Sequence, residues 1–279
     1  MTGASDRPGD GDRLSRWSAR QMDRLKATRA RVVLRALLLG QLGLAVALVW
    51  TDIAARDPFA STEPIAPAPT APPDAGDQTR PYHPTRIPVR PGADGPRTPL
   101  PAHSEGLQFS RVEVPGHGPA LYLRGAIRPG DDARFERHVD GLVEPPARVA
   151  LHSPGGAVEA ALQIGRSIRQ RGMDTHVLAE DACVSACPFL LAGGATRSVH
   201  RDAWIGLHQV AFVDAAALSA ADAARRLQVL KADVYDYWAE MGVDPAIEAI
   251  AMRIPPERAY FLLPDELTEL RLATAIVGD

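Results

Sequence analysis

Thirteen of the chain's 25 prolines fall between Pro58 and Pro101. Proline fixes φ and has no N–H, so a stretch this dense can neither continue a helix nor fill the interior of a sheet. Residues 55–105 therefore read as a partly extended Pro/Ala-rich linker, typified by Pro64-Ile65-Ala66-Pro67-Ala68-Pro69-Thr70-Ala71-Pro72-Pro73. A plain tether is its simplest role, and a partner-docking segment is the alternative. Residues 106–279 are left to build a core, and that length suffices for one domain. No internal repeat is visible.

Ahead of the linker lies an apolar run from Val32 to Trp50, interrupted only by Arg35 and Gln41. A spanning helix needs about 17–25 apolar residues. Arg35, one turn from the basic end, can snorkel toward lipid headgroups. A buried helix of a soluble protein fits less well, because the run is apolar on every face and has no partner element nearby. Residues 1–31 carry Arg7, Arg13, Arg16, Arg20, Arg24, Lys26, Arg29 and Arg31. A cleaved secretory signal is the rival reading, with small residues available over Ala45–Ala55. The long basic region favours an uncleaved signal anchor over residues 32–54. The positive-inside rule then puts residues 1–31 in the cytoplasm and everything after the anchor outside it, in the periplasm.

Composition narrows the function classes. With 31 Lys+Arg against 34 Asp+Glu the net charge is −3, which gives no reason to expect a nucleic-acid partner. Two cysteines exclude a disulfide-rich scaffold and a four-cysteine zinc site. The eight histidines are scattered, so no metal or cofactor site is expected.

Strands are expected at 121–123, 149–151, 176–179 and 203–207, and helices at 131–142, 157–168, 186–192 and 215–241. Strands alternating with helices imply an α/β fold. Three motifs fall at the ends of these elements. Ser153-Pro154-Gly155-Gly156 sits between a strand and a helix, where free glycine amides can point at an anion, or can simply make a turn. Ser185, in Cys183-Val184-Ser185-Ala186-Cys187-Pro188-Phe189-Leu190-Leu191, stands where a loop enters a helix. It reads as an N-cap or as an exposed nucleophile. His208 ends a strand 23 residues later, and a nucleophilic serine needs such a base.

These residues together resemble the ClpP-type serine peptidases of the ClpP/crotonase superfamily. In that family a strand enters a Ser-Pro-Gly-Gly turn. The nucleophile follows about thirty residues later, ahead of a Phe-Leu-Leu run, and a second strand then ends in His-Gln, as in His208-Gln209. Weaker similarity reaches from about Leu121 to Val277. The resemblance implies a repeated β-β-α spiral, Ser185 as nucleophile, and His208 as general base. It also implies an oxyanion hole from the N–H groups of Gly155 and Ala186, with Gly156 beside them. A peptide or protein substrate, a homo-oligomer built through the 215–241 helix, and kinship with signal-peptide peptidase A-like membrane proteins follow from it too.

Two departures qualify the resemblance. Ala259 stands where the family carries its catalytic Asp, so Glu257, Asp265 or a backbone carbonyl must orient His208. Cys183 and Cys187 bracket Ser185, and outside the cytoplasm they form either a disulfide or two small buried thiols. The expected activity is hydrolysis of peptide bonds by a membrane-anchored Ser–His pair. The alternatives are a weak or inactive ClpP-fold binding module and a crotonase-type acyl-CoA enzyme, whose cytosolic substrate fits an external domain poorly.

Overall fold

A computed structural model of the chain describes residues 32–51, 73–85, 106–210 and 219–278. The basic segment 1–31, residues 52–54 of the expected anchor and most of the expected linker lie outside the described residues. The chain divides into two compact units, Met1–Pro64 and Ile65–Asp279.

In the first unit, helix α1 (Val32–Thr51) has 20 residues and a mean hydropathy of 2.2. It is long and apolar enough to cross a bilayer, and its large apolar side chains are exposed.

The second unit is mixed α/β. Its elements in chain order are β1 (Thr79–Pro81), β2 (Gln108–Val114), β3 (Gly118–Arg124), α2 (Asp131–Asp140), β4 (Arg148–His152), α3 (Val158–Gln170), β5 (Asp174–Val177) and β6 (Ala182–Val184). There follow α4 (Cys187–Ala192), β7 (Arg197–His200), β8 (Trp204–Leu207), α5 (Ala220–Glu240), α6 (Ala246–Ala251), β9 (Arg258–Phe261), α7 (Pro264–Glu269) and β10 (Ala275–Val277). Six strands form one sheet in the order β10-β7-β5-β4-β3-β2, parallel except for the β2–β3 hairpin. Four form a second sheet in the order β1-β9-β8-β6, with β6 and β8 parallel.

Apolar residues recur at Ala157, Ala161, Ile164 and Ile168, the spacing of one helix face. Ala161, Ile164 and Ile168 are buried, whereas Ala157, the N-cap of α3, is half-buried against the same core. Packed with them are Leu190 and Leu191 of α4 and Val234, Tyr237 and Trp238 of α5. Packing of α4 against α3 and α5 fixes where the chain enters α4. The Tyr237 hydroxyl donates to the Phe189 carbonyl at 2.5 Å. The α5 helix begins at Ala220, capped by the Ser219 side chain, and residues 215–218 of the expected long helix lie outside the described residues.

One boundary differs from expectation. Strand β1 lies inside the segment read as linker, 55–105, and outside the domain read as 106–279. It pairs antiparallel with β9, Arg80 opposite Ala259. Proline is compatible with this strand because β1 is an edge, and Pro81 is its last residue. The amide of Tyr82 makes the next bond, to the Glu257 carbonyl at 2.9 Å.

Candidate active site

The three motifs meet at the C-terminal ends of β4, β6 and β8. Val184 and Gly206 are register partners in the parallel pair β6–β8, so Ser185 and His208 leave the same end of neighbouring strands. A bridge between Ser153 and Cys183 joins the end of β4 to β6. Parallel α/β sheets gather ligands at this end.

Ser185 has φ +63°, the left-handed region that a residue with a side chain enters only at a cost of about 1–3 kcal/mol. Its N–H donates to the Gly206 carbonyl at 2.9 Å, and the Val184 N–H donates to the Ser153 carbonyl at 3.0 Å. A disulfide closes over it between Cys183 and Cys187, whose Cα atoms are 5.0 Å apart. Ser185 is therefore not an N-cap. Ala186 holds that position with no side-chain cap, and α4 begins at Cys187. A serine on a strained strand-to-helix turn presents its hydroxyl outward, and Ser185 is half-exposed.

The glycine turn packs directly under this elbow. Gly155 and Gly156 have φ of +86° and +141°. A Cβ on Gly155 would overlap Ser185 and the Ala186 amide, and one on Gly156 would overlap the Ile127 carbonyl. Of the three expected oxyanion donors, Gly155 is already engaged, because its N–H donates to the Ser153 hydroxyl at 3.0 Å. The Gly155 carbonyl accepts from the Ile127 N–H at 2.8 Å. That carbonyl shares a trans peptide plane with the Gly156 N–H, which must point the opposite way. Among the described residues, neither the Gly156 nor the Ala186 N–H donates to another protein group. Gly156 follows the residue that packs on Ser185, and Ala186 follows Ser185 itself.

His208 is half-buried. Its Nδ1 lies 2.8 Å from the Gln209 carbonyl. A carbonyl only accepts, so Nδ1 carries the proton and Nε2 the lone pair. Nε2 is buried and, among the described residues, has no hydrogen-bond partner, the Ser185 hydroxyl included. Burial pushes the imidazole below its ordinary pKa, against smaller opposite pulls from the Gln209 carbonyl and the Glu257 charge. Neither proposed acid orients the ring. Glu257 and Asp265 are exposed, and the Nδ1 proton goes to a backbone carbonyl instead. Ala259 is fully buried in an apolar cluster with Tyr82, Ala182, Val184, Trp204 and Phe261.

Sequence reasoning missed Tyr82. Its ring centroid is 5.2 Å from that of His208, inclined at 36°, and its hydroxyl donates to the Pro154 carbonyl. The available signal was a break in the Pro/Ala pattern at Asp77-Gln78-Thr79-Arg80, followed by the one tyrosine of the segment.

A second buried cluster stitches β4 to β6. The Ala182 N–H donates to His152 Nδ1 at 3.0 Å, and the Tyr122 hydroxyl donates to Asp181 at 2.8 Å. His152 Nδ1 and Asp181 are 3.2 Å apart. Burial pushes His152 down to about 4 and Asp181 up to about 7, with the nearby Arg124 charge also lowering both, so His152 is neutral and does not form an ion pair with Asp181 near neutral pH. No group of three or more metal-ligating side chains occurs among the described residues.

No protein-family model matches the chain, and no curated protein matches it.

Proposed function

We propose that residues 78–278 form a ClpP/crotonase-type domain that hydrolyses peptide bonds through Ser185 and His208. The observation that carries this reading is Ser185 at φ +63°, packed on the Gly155 turn, at the end of the strand next to the one that delivers His208. Strain at a serine is tolerated where the surroundings enforce it, and here a disulfide, a glycine turn and two backbone bonds do so.

In the proposed reaction His208 Nε2 takes the hydroxyl proton as Ser185 Oγ bonds to the scissile carbonyl carbon. The carbonyl oxygen becomes an oxyanion facing the Gly156 and Ala186 N–H groups. Collapse breaks the C–N bond, and His208 returns its proton to the leaving amine. Water, deprotonated by the same imidazole, then releases the acyl group and restores Ser185. The Gln209 carbonyl holds the tautomer as a carboxylate would, but as a neutral group it stabilises imidazolium less, so turnover should be slow.

A second reading, a non-catalytic binding module of the same fold, is favoured by the unpartnered His208 Nε2. Catalytic bonds often tighten only when substrate binds. Peptide hydrolysis by the purified full-length chain discriminates. Loss in both Ser185→Ala and His208→Ala, with a double variant no worse than either, supports the dyad. Full activity in Ser185→Ala would end the hydrolase reading.

The same proposal makes α1 an uncleaved anchor with the domain outside the cytoplasm. The basic residues before α1 and the Cys183–Cys187 disulfide, a bond of oxidising compartments, support it. A periplasm-dependent reporter after Asp279 should be active. A soluble product starting near Arg56 would show cleavage instead. A homo-oligomer through α5 rests on the resemblance alone, and a monomer by light scattering would count against it.

A further inference from the structure

We infer that Tyr82, carried by the edge strand β1, is a positioning residue of this site, clamping the glycine turn with its hydroxyl and sheltering His208 with its ring. The inference rests on the Ser185–His208 reading. It adds a component from a segment that the sequence assigns to the tether.

Several bonds hold β1 and its flanks in place besides the strand pairing, among them one from the Arg258 guanidinium to the Thr79 carbonyl at 2.8 Å. The Phe261 N–H donates to the Gln78 carbonyl at 2.9 Å, and the Tyr82 N–H to the Glu257 carbonyl at 2.9 Å. The Gln78 side chain donates to the Tyr260 hydroxyl at 2.7 Å and to Glu266 at 2.6 Å. Tyr82 is thereby delivered at 7% exposure.

The hydroxyl acts on one peptide plane. The Pro154 carbonyl and the Gly155 N–H are its two ends, and they are held by Tyr82 and Ser153 respectively. The next plane is held by Ile127, and its free end is the Gly156 N–H. Two consecutive planes are fixed, so the direction of the Gly156 N–H is fixed with them. Burial pushes the phenol pKa up, which keeps the hydroxyl protonated and able to donate.

The ring acts on the base. His208 has no carboxylate to hold it, so its plane is set by the Gln209 carbonyl and by what it packs on. Tyr82 covers part of one face, and the ring reaches the same cluster as Val184, the residue before Ser185. One side chain thus bonds the turn, packs on the base and belongs to the apolar cluster of the nucleophile's strand. Excluding water from the imidazole favours its neutral form, the form able to accept the Ser185 proton.

The test uses the full-length chain in detergent with Tyr82→Phe and Tyr82→Leu, each checked for folding by circular dichroism. Two readouts are taken: the rate of Ser185 modification by a fluorophosphonate, and the His208 titration by histidine-labelled NMR. Tyr82→Phe should slow modification roughly tenfold, the scale of a small misplacement of a donor, with the His208 midpoint unchanged. Tyr82→Leu should slow it further and move the midpoint up toward that of a solvated histidine. A residue serving packing alone would lower stability without moving the midpoint. A folded Tyr82→Leu with an unmoved midpoint overturns the ring's role, and Tyr82→Phe reacting at the wild-type rate overturns the hydroxyl's. If wild type is never modified while the midpoint still moves in Tyr82→Leu, the hydrolase reading fails and the Tyr82–His208 contact stands.

Discussion

Gly155 donates its N–H to the hydroxyl of Ser153 two residues earlier, at 3.0 Å, and so stands engaged, whereas the N–H groups of Gly156 and Ala186 have no acceptor among the described residues. Ser153 is fully buried. Ser153→Ala would leave the Gly155 N–H buried without an acceptor, at a cost of about 1–3 kcal/mol. Urea unfolding should show that loss, together with slower Ser185 chemistry as the turn loosens. Unchanged stability would mean that the turn does not depend on this bond.

Burial keeps His208 in its neutral form to lower pH than a solvated histidine, whose pKa is about 6.5. Hydrolysis should therefore rise with pH through a midpoint below 6.5. Stability has its own pH dependence. Between about pH 6.5 and 4, His152 and His176 bind protons more readily in the unfolded chain, whereas Asp181 binds one more readily in the folded chain. Two outnumber one, and the lowered His208 acts in the same sense just below its ordinary value, so stability should rise with pH across that window. Thermal unfolding as a function of pH checks the sign, and a flat or falling profile would contradict it.

The Cys183–Cys187 bridge closes a short loop over Ser185. Protein made in an oxidising compartment should show an intact mass two hydrogens below the dithiol value. Reduction should cost about 2 kcal/mol, the loop-closure figure for so short a ring. It should also slow Ser185 modification, because the elbow loses a brace. Two alkylatable thiols in material never exposed to reductant would refute the bridge.

The parts of the site set by local chemistry were readable in advance. The glycine turn follows from Gly155 and Gly156, the four-residue cysteine spacing from the loop it spans, and the α3 packing face from Ala157, Ala161, Ile164 and Ile168. The parts set by tertiary pairing were not. Strand β1 is three residues long and ends in proline, so nothing local marks it as a strand. Its register with β9 is set by a partner some 180 residues away. The use of the Gln209 carbonyl in place of a carboxylate was invisible for a similar reason, since every residue offers a carbonyl. Ser185 satisfied the composition rule for an N-cap, and only its φ distinguishes an elbow from a cap.

Ala259 marks a third case. The resemblance suggests that a carboxylate there would help, but its methyl faces Tyr82, Trp204 and Phe261 with no exposure. The Nδ1 proton of His208 is already committed to Gln209. Ala259→Asp should bury an unpaired charge and cost about 3–5 kcal/mol without accelerating hydrolysis. A faster variant of unchanged melting temperature would show that the carboxylate reaches His208.

Ser185 is proposed as a nucleophile activated by His208. Incubating the folded full-length chain with a fluorophosphonate and mapping the adduct by peptide mass spectrometry tests it most directly. The predicted result is one adduct, on Ser185, absent in Ser185→Ala and strongly slowed in His208→Ala. A wild-type chain that stays unmodified, or carries its adduct on another residue, would contradict the account.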